Sequence, residues 1–218
     1  MDVYEALYTT RAMRRVRPDP IPEDVQARIL DAAIRAPSGG NAQKWRFLLV
    51  DDPEIRNQLG PIYRRCLTQL LDGHYKPMMD KARANPDDPR SVESLNMYRS
   101  SKHMGEHFEK YPLLLFGFDQ GDPTGASIFP AVWSAMLAAR AEGVGSTITT
   151  LLLLEIEPVL ELLGVPTGEG WRFTCCIPMG YPTGRWGVAR RKPVEQVTFK
   201  NRWGEPLDID IGGPLWNG

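Results

Sequence analysis

Cysteine is scarce in this chain, and the scarcity is the first constraint. Three cysteines occur in 218 residues, an odd count, with Cys175 and Cys176 adjacent and no C-x-x-C pair. That pattern excludes a disulfide framework and the usual zinc modules, and it suits a reducing compartment. An excess of one charge is lacking too. The 26 basic and 27 acidic side chains leave a net charge of −1, without the basic footprint of a nucleic-acid binder. No apolar run approaches the roughly 18 residues of a membrane span, and the opening MDVYEALYTTR has no apolar signal core. A cytoplasmic, soluble protein that engages neither nucleic acid nor membrane is expected. The G-x-G-x-x-G, GxxxxGK[ST] and G-x-S-x-G patterns are all missing, which removes the common nucleotide fingerprints and the serine-hydrolase elbow.

What is present reads as one domain, 42% hydrophobic and long enough to bury a sizeable core unaided. Asp2–Thr10 has the spacing of a short helix with Val3, Ala6 and Leu7 on one face. Pro22, ahead of Glu23 and Asp24, opens a second helix that runs through Val25, Ile29, Ala32, Ala33 and Ala36 and stops at Pro37–Asn41. Trp45–Val50, Leu113–Phe118 and Trp171–Ile177 are bounded apolar runs and predict buried strands. Glu54–Leu71 predicts a helix that Gly60-Pro61 could split, Ile128–Glu142 a helix apolar nearly all round, and Glu155–Leu163 a short one. Ser146–Thr150 predicts a short strand or loop. Asp72–Ser101 is polar and carries Pro77, Pro86 and Pro89; a structureless lid or insertion is expected there, followed by a short helix at Ser101–Lys110. Buried strands between helices predict an α/β or α+β class with a sheet covered on both faces.

Four segments carry candidate chemistry. Thr10–Arg17 packs four arginines, Arg11, Arg14, Arg15 and Arg17, whose planar forks match phosphate; a solvated basic turn is the plainer alternative. Pro37-Ser38-Gly39-Gly40-Asn41-Ala42-Gln43 combines glycines that let a backbone approach a ligand with two fixed amides. A helix C-cap would need one glycine, not two. Gly143–Thr150 offers small hydroxylated residues at a strand edge, equally suited to strand filling. His103-Met104-Gly105-Glu106-His107 spells H-x-x-E-H, the inverted zincin pattern. A catalytic zinc needs a third protein ligand, and His74 is the one histidine left, so no metal site is expected.

In order along the chain these segments resemble the FMN-dependent nitroreductase family, which includes the iodotyrosine deiodinase-like flavoproteins. Thr10–Arg14 is similar to the family's Arg-Arg-Ser-x-Arg signature, with Thr10 and Ala12 standing where the family usually has Arg and Ser. Ala36–Trp45 matches A-P-S-x-x-N-x-Q-x-W at every fixed position, and Gly180-Tyr181-Pro182 and Arg190–Pro193 resemble the family's closing turn and late basic pair. The Ile148-Thr149-Thr150 segment resembles the threonine-bearing loop of the deiodinases. The resemblance implies an α+β three-layer sandwich, a mixed central sheet flanked by helices, in a domain-swapped homodimer. It implies one domain over 1–218, with a lid at 72–101 and a C-terminal arm at 194–218. It also implies FMN as cofactor, NAD(P)H as electron donor, and a small electron-poor acceptor such as a nitroaromatic or quinone. A non-catalytic flavin-binding protein and a reductive dehalogenase are the alternatives. The implied cofactor contacts are Arg11, Ala12, Arg14, Pro37, Ser38, Gly39, Asn41, Gln43, Ile148, Thr149, Thr150 and Arg191. The lid's aromatic and basic residues Tyr75, Lys76, Tyr98 and Arg99 are the candidates to touch the acceptor, and flavin-borne chemistry leaves no protein group in the role of acid or base.

Overall fold

The strand Leu113–Asp119 (β2) is the spine of the molecule, buried along its whole length. It lies in a computed structural model that describes residues 1–210 and 212–216. Successive side chains of a strand point to opposite faces. Leu113 and Leu115 therefore join Cys175, Ile177 and Met179 of the neighbouring strand Arg172–Gly180 (β4) under one helical layer, built from Glu23–Ala33 (α2) and Ile128–Ala141 (α6). Leu114, Phe116 and Phe118 join Phe173 and Cys176 under the other layer. That layer comprises Pro53–Asp72 (α3), Pro89–Glu106 (α5) and Ile156–Leu162 (α7). Each fully buried Leu or Phe in these two cores stabilises the fold by about 1.5–3 kcal/mol. Two helical layers around a central sheet make the expected three-layer α+β sandwich.

The sheet runs β1-β2-β4-β3, with β1 at Trp45–Val50 and β3 at Gly145–Ser146. Its ladders are all antiparallel, and the parallel component of the expected mixed sheet is a single bridge, Ala12 to Ser146. That bridge docks the arginine-rich segment onto the sheet edge, with the Met13 N–H donating to the Ser146 carbonyl at 3.0 Å. Gly145 makes the approach feasible, because a Cβ there would stand 2.8 Å from the Met13 Cβ.

Four expectations change. The helix α3 runs unbroken through Pro61. Gly60 is needed not to break it but to admit Glu109, whose carboxylate oxygen lies 2.6 Å from where a Cβ would sit. The 72–101 stretch is helical rather than structureless: Lys76–Ala84 (α4) and α5 pack together as a hairpin that buries Met79, Ala82 and Ser91. Prolines start these helices instead of ending them. Pro77 and Pro89 stand in the first turns, where a missing N–H costs nothing, and the Asp88 carboxylate caps α5 by accepting the Ser91 N–H. The short helix expected at Ser101–Lys110 is the end of α5 followed by a turn at Phe108–Lys110. In Val3–Thr9 (α1), Ala6 is buried but Val3 and Leu7 are exposed.

Candidate functional site

A cleft of about 550 Å³ opens where the docked arginine segment, the α3–α5 layer and the segment after β3 meet. That volume is in the range of small-molecule sites. Arg14 forms one wall and Thr147, Ile148, Thr149 and Thr150 another, while Leu67 and Leu70 of α3 and Met97 and Met104 of α5 supply an apolar side. Thr149 is fixed at the sheet edge by two backbone bonds with Cys176, at 2.9 and 2.8 Å. Its hydroxyl lies 3.2 Å from the Tyr63 hydroxyl and accepts the Leu151 N–H at 3.3 Å. Tyr63 is itself buried, stacked on Phe108 with ring centroids 4.0 Å apart. Burial pushes its phenol up to about 12. The neighbouring Thr147 hydroxyl is buried and has no hydrogen-bond partner. A buried hydroxyl without a partner is costly, and this one belongs to the cleft wall.

The basic side of the site is built from several elements. Arg11 donates to the Arg185 carbonyl at 3.0 Å and lies over Gly187. The segment carrying Arg185 and Gly187 is held by Arg140, a buried guanidinium on the apolar helix α6. Arg140 donates to the Thr9 hydroxyl at 2.7 Å, pairs with Glu5 at 3.4 Å and stacks over Trp186 at 4.2 Å. Burial lowers its pKa from the ordinary value. Among the described residues Arg11, Arg14, Arg15 and Arg191 form no ion pair, whereas Arg17 pairs with Asp19 and Arg190 with Glu93. Arg191 is exposed and donates to the Arg190 carbonyl.

The Pro37–Gln43 loop lies elsewhere in the chain. Pro37, Ser38, Gly39 and Gln43 line a separate cleft of about 520 Å³ with Gln120, Asp122 and Ser127, and it shares no lining residue with the first. The loop is held in an unusual conformation: Gly40, Asn41 and Gln43 have φ of 57°, 53° and 50°. Asn41 and Gln43 are exceptions to the rule that residues other than glycine avoid positive φ. The Ser38 hydroxyl accepts the Gln43 N–H at 3.1 Å, and the Gln43 amide donates to the Asn41 side chain at 3.0 Å. The Asp122 carboxylate accepts the Ser127 and Ile128 N–H groups at the start of α6, which lowers its pKa.

The structure thus gathers Arg14, Tyr75, Ile148, Thr149 and Thr150 in one cleft, with Ala12 docked beside it and Arg11 on the segment leading in. It places Pro37–Gln43 apart. Of the lid residues, Tyr75 faces the cleft. Lys76 pairs with Asp80 at 2.9 Å, Tyr98 lies beneath Arg83, and Arg99 reaches back to Asn96, all outside the cleft. Sequence reasoning missed Tyr63, Leu67 and Met97. The one signal for Tyr63 was a phenol on an otherwise apolar helix face, since a buried hydroxyl seeks a partner. The Cys175 thiol is pushed up to about 12 by burial and that of Cys176 is raised well above its usual range, so both sulfurs are inert. Among the described residues no group of three His, Cys, Asp or Glu side chains is placed to hold a metal, and no helix is long and apolar enough to cross a membrane.

Comparison with known proteins agrees with this fold. The model of the Nitroreductase family matches residues 7–181. A 5,6-dimethylbenzimidazole synthase of Rhodospirillum rubrum is 32% identical over 196 residues, covering 83% of this chain and 82% of that protein. An NADH dehydrogenase of Thermus thermophilus is 26% identical over 218 residues, covering 91% and 96%. Among solved structures, oxidised iodotyrosine deiodinase bound to FMN and 3-iodo-L-tyrosine superposes with a TM-score of 0.67 at 24% identity, over 88% of this chain and 96% of that one.

Proposed function

The chain belongs to the nitroreductase family, and on that premise we propose that it is an FMN-dependent oxidoreductase carrying electrons from NAD(P)H to an electron-poor small molecule such as a nitroaromatic or quinone. The observation that carries the reading is the cleft between Arg14 and the Thr147–Thr150 wall. A buried hydroxyl without a partner, Thr147, shares the cleft with Arg14, which forms no ion pair among the described residues, and with an apolar side. That combination fits a flat, polar-edged ring with an anionic tail. Bound FMN would supply the redox chemistry, taking hydride at N5 and releasing electrons to the acceptor.

The chain's own residues then have defined tasks. Arg11 and Arg191 bind the phosphate through charge-assisted forks. Ala12 and Arg14 hold the ribityl and pyrimidine side. Ile148, Thr149 and Thr150 face the ring edge near N5 and O4, and the Tyr63 hydroxyl orients that of Thr149. The apolar side supplied by Leu67, Leu70 and Met97 excludes water. Pro37, Ser38, Gly39, Asn41 and Gln43 complete the site from a second copy of the chain in a homodimer. The exposed residues Val3, Tyr4 and Leu7 of α1 and Phe129 and Trp133 of α6 support that assembly, because an apolar surface of this kind is typical of obligate interfaces. The 194–218 arm, as far as it is described, extends towards the partner, and the α4–α5 hairpin is the lid. Thr149, in a loop that resembles the deiodinases', also favours a second reading, reductive removal of halide from an aromatic ring.

The visible spectrum of the purified protein is the direct test, followed by NAD(P)H oxidation with nitroaromatic, quinone and haloaromatic acceptors. Yellow protein that turns over supports the reading. Colourless protein that fails to bind added FMN overturns it, and FMN-loaded protein without turnover identifies a flavin-binding module.

A further inference from the structure

A smaller pocket of about 240 Å³ shares Arg14, and no other lining residue, with the proposed flavin cleft, and its charged lining is entirely cationic or imidazole. We propose that this pocket is a second anion site, selective for a phosphate dianion and coupled to proton uptake by the stacked His103–His107 pair.

The pocket collects nitrogen donors from three separate parts of the chain. Arg14 and Arg15 come from the arginine-rich segment, His103 and His107 from α5 and its end, and Lys110 from the turn that follows; Thr183 closes the rim from the segment after β4. No carboxylate lines it. Glu106, whose charge also acts on His103, pairs with Lys102 at 3.8 Å. Like charges gathered without a counter-ion repel one another, and an anion between them removes that penalty.

The walls are built before any ligand arrives. The buried Tyr111 hydroxyl donates to the Arg14 carbonyl at 2.8 Å, and the Thr183 N–H donates to the Arg15 carbonyl at 3.0 Å. The two arginines therefore leave a backbone pinned from both sides. The imidazoles stack at 4.3 Å, and His107 Nδ1 lies 2.9 Å from the His103 carbonyl. A carbonyl only accepts, so Nδ1 carries the proton and Nε2 is the nitrogen left free to meet a ligand. Burial first, then Arg15 and His107, hold His103 below its usual pKa. An arriving phosphate reverses the electrostatic part of that balance. It is neutralised by the guanidiniums and draws a proton onto the imidazole pair, so affinity expressed per phosphate dianion, after allowing for the anion's own protonation at about pH 6 to 7, tightens as pH falls from 8 towards 6. Phosphate matches this chemistry because it offers several acceptor oxygens to forks and ring N–H groups at once.

Inorganic phosphate is the probe, titrated at constant ionic strength against chloride into the intact protein, with the histidine C2–H resonances as readout. His103 and His107 are expected to shift saturably, and His103 to titrate at higher pH with phosphate present, while exposed His74 stays still. Arg15→Gln and His107→Gln should each weaken phosphate binding at least tenfold, with unchanged melting temperature in chloride. Equal movement of all three histidines, or none, overturns the site whether or not the protein binds flavin. Adenosine 2′-monophosphate and adenosine then separate the sources. Competition by the nucleotide alone assigns the site to a phosphate monoester, and competition by neither assigns it to the free anion.

Discussion

The Tyr63 and Thr149 hydroxyls stand 3.2 Å apart, joining the helical layer to the sheet edge at the floor of the main cleft. The two residues are 86 positions apart in the chain, and each is fixed by other contacts: Tyr63 by its stack on Phe108, Thr149 by its backbone bonds to Cys176. The Thr149 hydroxyl is therefore presented in one orientation.

Thr149→Ala should lower kcat for NAD(P)H-driven acceptor reduction about tenfold, roughly 1.4 kcal/mol, with little change in FMN affinity. Thr149→Ser should recover most of the rate. Tyr63→Phe keeps the aromatic stack and removes one hydrogen bond, a stability loss of about 1 kcal/mol by denaturant titration. Wild-type kcat in Thr149→Ala would remove this hydroxyl from the site.

Arg11→Ala and Arg191→Ala should each weaken FMN binding about tenfold to a hundredfold, the scale of a charge-assisted hydrogen bond. Riboflavin, which lacks the phosphate, serves as control, and its affinity should be unaffected. Equilibrium dialysis against both flavins decides. Equal losses for the two would mean that these arginines shape the site and do not bind phosphate.

Stability should fall at alkaline pH. Burial raises the folded-state value of Cys175 from 9 to about 12 and that of Tyr63 from 10 to about 12. For an acid, a raised value means that the folded state keeps its proton after the unfolded state has lost it. The stabilities are thus unaffected below pH 9 and decline as pH climbs from 9 to 12, by about 1.4 kcal/mol per pH unit for each group engaged. Cys175→Ala should make the decline that begins at pH 9 shallower by one group's share, the buried Cys176 and Cys66 thiols, also raised, carrying the rest. Urea titrations across that range supply the measurement, and a flat wild-type profile would contradict the burial argument.

Much of the fold is legible in the sequence because its elements announce their ends. Trp45–Val50 is bounded by turn residues and forms the strand expected, and Pro22 before two acids opens α2 within a residue of the expected start. The α4–α5 hairpin was illegible for a physical reason. Pro77 and Pro89 read as breakers when they stand in helical first turns, and the polar residues of α5 are spread around it without an apolar stripe. Within the site, Arg14 and Thr149 could be found because charge and hydroxyl cluster in short segments. Leu67 and Met97 could not, since an apolar side chain that walls a cleft looks the same in sequence as one that fills a core.

The separation of the Pro37–Gln43 loop from the main cleft leads to a prediction about assembly. If a second chain brings the loop to the cleft, dimerisation and FMN binding are linked. Trp133→Glu, in the exposed apolar patch formed with Phe129, should yield monomers by sedimentation and weaken FMN binding strongly, although Trp133 lines neither cleft. A monomeric wild type that still holds FMN would show that one chain suffices.

The proposed lid makes the last prediction. In the α4–α5 hairpin Met79 and Ala82 are buried between the two helices, so the hairpin tip has a small packed core of its own. Only Tyr75 at its base and Met97, Ser101 and Met104 on α5 reach the main cleft. Elements of this kind control which molecules enter a site and not the chemistry within it. Replacing Lys81–Ser94 with a short glycine–serine turn removes the tip and keeps the residues that line the cleft. FMN should stay bound, and the ranking of nitroaromatic and quinone acceptors by kcat/KM should change, mostly through KM. Tyr75→Ala should alter the same ranking by itself, because its ring faces the space where an acceptor would lie. Steady-state kinetics over several acceptors tests both variants. If every kcat/KM stays within about twofold, ~0.4 kcal/mol, the hairpin is a passive cover and selectivity belongs to the Thr147–Leu154 wall.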